Sequence, residues 1–492
     1  MTSGTAKYIV VGGGIAGVTC VEQLASQNTV DDILLLTPYP LIKAVTNFRQ
    51  VSRTLEEFVV EERNAETLKR VGPRVRVIQA AVAKLDSEAH EVHTADGRCF
   101  GYGKLCICSG ATPKLLAKGN PFVLGIRDTD SVQELQKRLV GSRRIVVAGN
   151  GGIALELVHE VRDCEVIWAI KDPSIGTSYF DSAAAEFFLP SLGKSSSPGA
   201  SGPSRRTKYT TSPGSTAAMG KLVEGMSGSA LGPDWQENLQ MQGANDTRRV
   251  HIEFECEVQQ ICEQKPAGIV MRERDVGVQK GQTEEESWSV YVKLSNGAVY
   301  GCDFIVSATG VRPYTQPFLE GNELTLAEDG GLLVDDHMTT SIPDVYAAGD
   351  VCSVAWTRTA HWFQMRLWTQ ARQMGAYAAR CMVADSVGES VDLDFCFELF
   401  AHITRFFGYK VVLLGRYNGQ GLGSDYELLL RCTPGVEYVK LVMQCGRVVG
   451  ALFVGETDLE ETFENLILNQ MDLSAFGESL LDPCIEIEDY FD

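Results

Sequence analysis

Two glycine clusters hold the residues best placed for chemistry. Gly12, Gly14 and Gly17 stand in the spacing G-x-G-x-x-G, and Gly149, Gly151 and Ala154 repeat it as G-x-G-x-x-A. The first glycine of such a set permits a tight turn. The second lets a pyrophosphate approach the backbone, and the third lets a helix pack closely on a strand. The spacing is informative only between a strand and a helix, and both clusters have that setting. Ile9-Val-Val11 reads as a buried strand before Gly12, and the periodic Val18, Val21 and Leu24 read as a helix after it. Arg144-Ile-Val-Val-Ala148 precedes the second cluster, and an apolar helix through Gly152, Ile153 and Glu156 follows. Free N–H groups at Ile15–Ala16 and Gly152–Ile153 then face the phosphates with partial positive charge. Two such units predict two dinucleotides on one chain.

The flanking residues refine this chemistry. The strand after a dinucleotide loop usually ends in Asp or Glu, which holds a ribose. After the first loop that strand is Asp32–Leu36, and Thr37 takes the place, offering a neutral hydroxyl. After the second loop the strand Glu165–Ile170 ends beside Lys171. Loss of the carboxylate and gain of a cation permit a 2′-phosphate and hence NADPH; a solvated strand end accounts for Lys171 equally well. The stretch Pro38–Phe48 reads as an uncharged turn with a single lysine, Lys43, and spacing alone favours a surface lysine there. Two buried strands end in small residues, Cys106-Ile-Cys108-Ser109-Gly110 and Val306-Ser-Ala-Thr-Gly310. A third, Val345–Ala348, ends at Gly349-Asp350, which sets a carboxylate at the carboxyl edge of a parallel sheet, where ligands bind. Arg127-Asp128 precedes a helix capped by Thr129 or Asp130.

The 492 residues are 44% apolar and 22% charged, with a net charge of −20. That balance predicts a globular protein and argues against direct nucleic-acid binding. No apolar run reaches membrane-spanning length, and polar Met1–Lys7 leads straight into a strand, so no signal peptide is expected. Fourteen cysteines lie scattered through apolar runs without a C-x-x-C pair. They read as reduced thiols of a cytoplasmic or nuclear protein, with no metal centre. Residues 48–70 read as a charged helix and 362–382 as another. Residues 190–249, rich in Ser, Gly and Pro, read as a weakly ordered insertion in which Trp235 is the one anchor. From residue 391 a smaller α+β region follows. The last eleven residues, Asp482–Asp492, alternate five carboxylates with large apolar side chains and suit a docking tail. The insertion and the tail are the expected contacts for a protein partner.

Taken in order, these motifs resemble the pyridine nucleotide–disulphide oxidoreductases, two-dinucleotide flavoproteins. The resemblance implies an α/β fold of two Rossmann-like domains, for FAD and NAD(P)H, plus a smaller C-terminal α+β domain. The FAD domain spans 1–127 and 303–390, the NAD(P)H domain 128–302, the C-terminal domain 391–481 and the tail 482–492. It further implies FAD along Gly12–Gly17, Ser109-Gly110, Arg127-Asp128 and Gly349-Asp350, with Asp350 on the ribityl chain. NAD(P)H falls to Gly149–Ile153, Glu156 and Gly310. Disulfide-reducing members carry a redox cysteine after the second strand, but this chain has none between Cys20 and Cys99. Lys43 and Asn47 stand there instead, as in thiol-free reductases whose lysine lies near flavin N5, which reverses the reading of Lys43. The expected activity is hydride transfer from NAD(P)H to flavin and on to a non-thiol acceptor, in redox protection. The alternative is a redox-gated binding module whose stable reduced FAD–NAD(P)+ complex docks and protects a partner.

Overall fold

The computed structural model describes residues 4–27, 30–192, 241–245, 249–265, 287–356 and 359–482. Most of the insertion, including Trp235, and all of the tail beyond Asp482 lie outside the described residues.

The first sheet grows from the apolar run that opens the chain. Strands β1 (Gly4–Val11), β2 (Ile33–Thr37), β5 (Val75–Gln79), β6 (Val82–Asp86), β7 (Glu91–Thr94) and β8 (Cys99–Ile107) take the spatial order β5-β2-β1-β8-β7-β6. The intervening β3 (Leu41–Gln50) and β4 (Glu56–Asn64) form a separate ribbon. Ile9, Val10, Leu34–Leu36 and Leu105–Ile107 are fully buried, as expected of parallel strands covered on both faces. Val345–Ala347 pairs parallel with the end of β8. Four strands therefore finish at one edge: β1 before Gly12, β2 before Pro38, β8 before Cys108 and Val345–Ala347 before Gly349-Asp350. Helix α1 (Ile15–Ser26) covers this sheet and crosses the helix Trp368–Ser386. The crossing is close because Gly375 lacks a side chain; a Cβ there would stand 2.3 Å from the Ala16 carbonyl oxygen.

The second sheet is all parallel, in the order Val123–Gly125, Phe304–Ser307, Arg144–Ala148, Glu165–Ala169, Arg249–Glu253. Gly149, Lys171 and Gly310 follow its carboxyl ends. The two small-residue turns noted in the sequence lead into short strands that pair with each other, Ala111–Pro113 antiparallel to Val311–Pro313. The C-terminal region is a five-stranded antiparallel sheet backed by the helix Glu460–Asn469. The fold is thus two Rossmann-like α/β units with a smaller α+β unit.

Three local expectations are corrected. Residues 48–70 are not a helix: β3 (Leu41–Gln50) and β4 (Glu56–Asn64) form an antiparallel ribbon, followed by a 3-10 turn at Ala65–Arg70. At the start of β4, buried Glu56 and Phe58 flank half-exposed Glu57, and Val45 pairs with Val60 and Thr46 with Val59. Residues 362–382 begin their helix only at Trp368, because Gln370 holds the preceding loop, accepting from Met365 N at 2.8 Å and donating to the Phe363 carbonyl at 2.9 Å. The C-terminal sheet, read from sequence as strands near 411–415, 426–432, 438–445 and 447–453, also includes Ala401–Phe406.

Candidate functional site

Both glycine loops are shaped by contact with a neighbouring strand end. Gly12 has φ +118°, and a Cβ on it would stand 2.1 Å from the Cys108 carbonyl oxygen. Gly149 has φ +130° and would meet the Ala308 carbonyl oxygen at 2.1 Å. Only glycine fits either position. Gly17 packs α1 onto the loop, its missing Cβ 2.0 Å from the Gly12 carbonyl oxygen. By contrast, a Cβ built on Gly14 or Gly151 meets no non-neighbouring atom of the described residues within 4 Å. These two residues cap their helices with no side-chain hydrogen bond, so the first helical N–H groups lack side-chain caps. Each loop is a cradle that the protein itself leaves unfilled.

The cradles open on one cavity of about 1270 Å³. Gly12, Gly14, Ile15 and Ala16 line it from the first unit, with Ser109, Gly110, Arg127, Asp128 and Asp350. Gly149, Gly151, Gly152, Ile153, Glu156, Lys171 and Gly310 line it from the second. Gly17, Thr37, Lys43 and Gly349 do not. Gly17 and Gly349 act through packing, since a Cβ on Gly349 would stand 2.9 Å from that of Ala16. The Thr37 hydroxyl turns into the Pro38 bend and accepts from Tyr39 N at 3.3 Å, so Pro38 and Tyr39 line the wall in its place.

Lys43 is buried, not in a turn but in β3 beside the first loop, where its N–H donates to the Gly13 carbonyl at 3.0 Å. The register sets Glu62 of β4 opposite it. The ammonium pairs with Glu62, which also accepts from the Thr129 hydroxyl. Burial pulls the Lys43 pKa down, against the opposing pull of Glu62 and Asp128.

Asp350 is held between two cations. Burial raises its pKa, while Arg127 and Arg366 lower it. Arg127 is pulled down by its own burial and raised by Asp350 and Asp128. Its guanidinium fills the space where a Gly110 side chain would project, 2.5 Å from the missing Cβ. Asp128, not Thr129 or Asp130, caps the helix Thr129–Leu139, and with Ser131 it forms a capping box, Asp128 Oδ1 accepting from Ser131 N at 3.0 Å. Sequence reasoning missed Arg366, whose Nη2 pairs with Asp329 at 2.6 Å and whose Nε donates to the Asp350 carbonyl at 2.9 Å. It was hidden in the stretch read as helix. Glu62 was hidden in the same way. Tyr39, Tyr179, Trp368 and Phe406 complete the wall with aromatic surface.

Two cysteines border the cavity. The Cys108 thiol lies 3.5 Å from that of Cys106, and this hydrogen bond, with burial, pushes it well above the usual thiol range. Burial and then Glu253 push Cys256 up as well.

Two Rossmann-like units whose glycine loops share one cavity define a two-dinucleotide oxidoreductase, and the chain belongs to the family described as "Pyridine nucleotide-disulphide oxidoreductase", matched over residues 6–194 and 248–375. FAD and NAD(P)H are the cofactors of this family. Within it, the chain is 58% identical over 493 residues to the Homo sapiens protein "Pyridine nucleotide-disulfide oxidoreductase domain-containing protein 1", covering 99% of this chain and 98% of that one. Among solved structures it resembles a NAD-dependent persulfide reductase from A. fulgidus, with TM-score 0.64, 17% identity and coverage of 95% and 78%. It also resembles a water-forming NADH oxidase from Lactobacillus brevis, with TM-score 0.61, 17% identity and coverage of 95% and 91%. At these identities the two structures speak for the fold alone. No helix among the described residues is long and apolar enough to cross a membrane.

Proposed function

We propose that this protein is an FAD-dependent NAD(P)H oxidoreductase that delivers electrons to a non-thiol acceptor, serving redox protection in the cytoplasm or nucleus. The carrying observation is that both unfilled cradles open on one cavity. The Gly12–Gly14 loop, Arg127 and Asp350 would hold FAD, and Gly149–Gly151, Glu156 and Lys171 would hold NAD(P)H. When bound, the flavin supplies an acceptor for the nicotinamide hydride and a donor to the second substrate.

The chain's own groups bind, orient and exclude water. Asp350, its charge compensated by Arg127 and Arg366, offers a carboxylate to ligand hydroxyls. The helix N-termini complement phosphate charge. Tyr39, Tyr179, Trp368 and Phe406 shield the cavity, where low polarity strengthens every electrostatic contact. The Lys43 N–H holds the Gly13 carbonyl of the first loop, and its ammonium, compensated by Glu62 and outside the cavity lining, would fix the ribbon behind that loop.

Protonated Cys108 and Cys256 support a non-thiol acceptor, because the thiolate is the reactive form. Turnover of NADH or NADPH with quinones, dioxygen and one-electron acceptors tests this, before and after alkylation of accessible thiols. Turnover that survives alkylation is expected. Its abolition, with flavin still bound, would overturn the non-thiol assignment.

A further inference from the structure

We propose that Glu91, His93 and Cys99 form a zinc-type metal site on the β7–β8 hairpin. Glu91 and His93 are two residues apart on β7 and therefore share a face. The strand register sets His93 directly across from Cys99, and sets Glu91 across from Gly101, which projects no side chain. His93 Nε2 lies 4.0 Å from Cys99 Sγ and 3.8 Å from Glu91 Oε2. One ligand atom from each of the three residues lies within 4.8 Å of the others. In a tetrahedral zinc site, with Zn–S about 2.3 Å and Zn–N or Zn–O about 2.0–2.1 Å, neighbouring ligand atoms stand about 3.3–3.6 Å apart. Small side-chain rotations close that gap.

The other face of the hairpin keeps it rigid. Val92 is 0% and Phe100 3% exposed in the core. The ligand face is reachable: the Glu91 and His93 side chains are 27% and 39% exposed, while Cys99 beneath them is buried. A thiolate, an imidazole and a carboxylate make a donor set suited to Zn²⁺, with a fourth position left for water. Binding forms a metal–sulfur bond and releases the Cys99 thiol proton to solvent, with no change of oxidation state. The ion would staple the hairpin at the start of β8, the strand whose far end carries Cys108-Ser109-Gly110. The spacing E-x-H-x5-C resembles no C-x-x-C motif, so the trio becomes legible only from the register.

The test uses the full-length, flavin-loaded protein stripped with a chelator, dialysed and titrated with Zn²⁺ calorimetrically and with Co²⁺ by absorption. We expect one ion per chain, a cobalt–thiolate charge-transfer band and protection of Cys99 from alkylation by Zn²⁺. In Cys99→Ser and His93→Ala, affinity should fall tenfold or more, with flavin content unchanged. Zn²⁺ binding that is unaltered in both variants, or no Zn²⁺-dependent protection of Cys99 in the wild-type chain, would overturn the site. The alkylation arm needs no variant, so a misfolded mutant leaves the proposal testable.

Discussion

Gly149 and Gly151 are two residues apart, yet an added methyl group should act on them in opposite ways. Gly149→Ala drives a Cβ into the Ala308 carbonyl at a positive φ, so the second unit should be destabilised whether or not nucleotide is present. Gly151→Ala meets only open space and should leave thermal stability and flavin content unchanged. On the proposed reading its methyl would instead occupy the place of a phosphate. The dissociation constant for NADH should rise tenfold or more, a loss of about 1.4 kcal/mol per decade, measurable by calorimetry. Asp350 makes a pH-dependent prediction. Its folded pKa is raised above the ordinary value of 3.8, so in the flavin-free protein its stabilising share is present at low pH. That share is lost as pH rises through the raised value. Asp350→Asn should therefore flatten the Tm-against-pH profile of the flavin-free protein above pH 3.8 while weakening FAD retention. A profile identical to wild type would contradict the assignment. The glycine loops were legible in the sequence because their geometry is dictated locally, by the backbone of a few residues. Lys43 was not: its partner Glu62 arrives through strand pairing, which one-dimensional spacing does not reveal.

The β3–β4 ribbon, which carries Lys43 and Glu62, is held at its turn by the C-terminal unit. Glu464 is fully buried and accepts from Thr54 N at 2.5 Å, from the Thr54 hydroxyl and from Arg53 N at 3.2 Å. Glu56 in the same ribbon takes both oxygens to Arg372 Nη1 at 2.8 Å, from the helix Trp368–Ser386. Glu464→Ala strands buried backbone donors and should cost about 1–3 kcal/mol in denaturant unfolding, whereas Glu464→Gln should recover part of the loss. An unchanged midpoint for Glu464→Ala would show that the ribbon is held elsewhere. The ribbon was unreadable as strands because its dense charges suggested a solvated helix, and tertiary pairing overrode that local signal. Ala401–Phe406 was missed for a similar reason, since His402, Thr404 and Arg405 dilute its apolar alternation. The strands that lead into the glycine loops carry unbroken β-branched runs and were legible.

Across the whole molecule, the candidate site lies where the carboxyl ends of the parallel strands of two sheets meet at one cavity. Duplicated strand–loop–helix units in the sequence foretold this arrangement. The contribution of the C-terminal sheet was not foretold, because it is built from contacts between distant segments. Phe406 reaches the cavity wall, with its ring 4.9 Å from that of Tyr179. The Tyr417 hydroxyl donates to the Ser178 carbonyl at 2.6 Å, and buried Lys440 pairs with Asp181. The third unit thus closes the cavity as well as packing on the first two. On the proposed reading, this cavity brings NAD(P)H and FAD into productive contact. Anaerobic titration of the purified yellow protein with NADH, followed by admission of air or a quinone, tests it most directly. The flavin band should bleach with stoichiometric NADH and recover within seconds of acceptor addition. A band that stays unbleached with NADH bound would contradict that reading; a long-wavelength charge-transfer band that outlasts every acceptor would show the contact but overturn delivery to an acceptor, and would identify the reduced complex itself as the functional state.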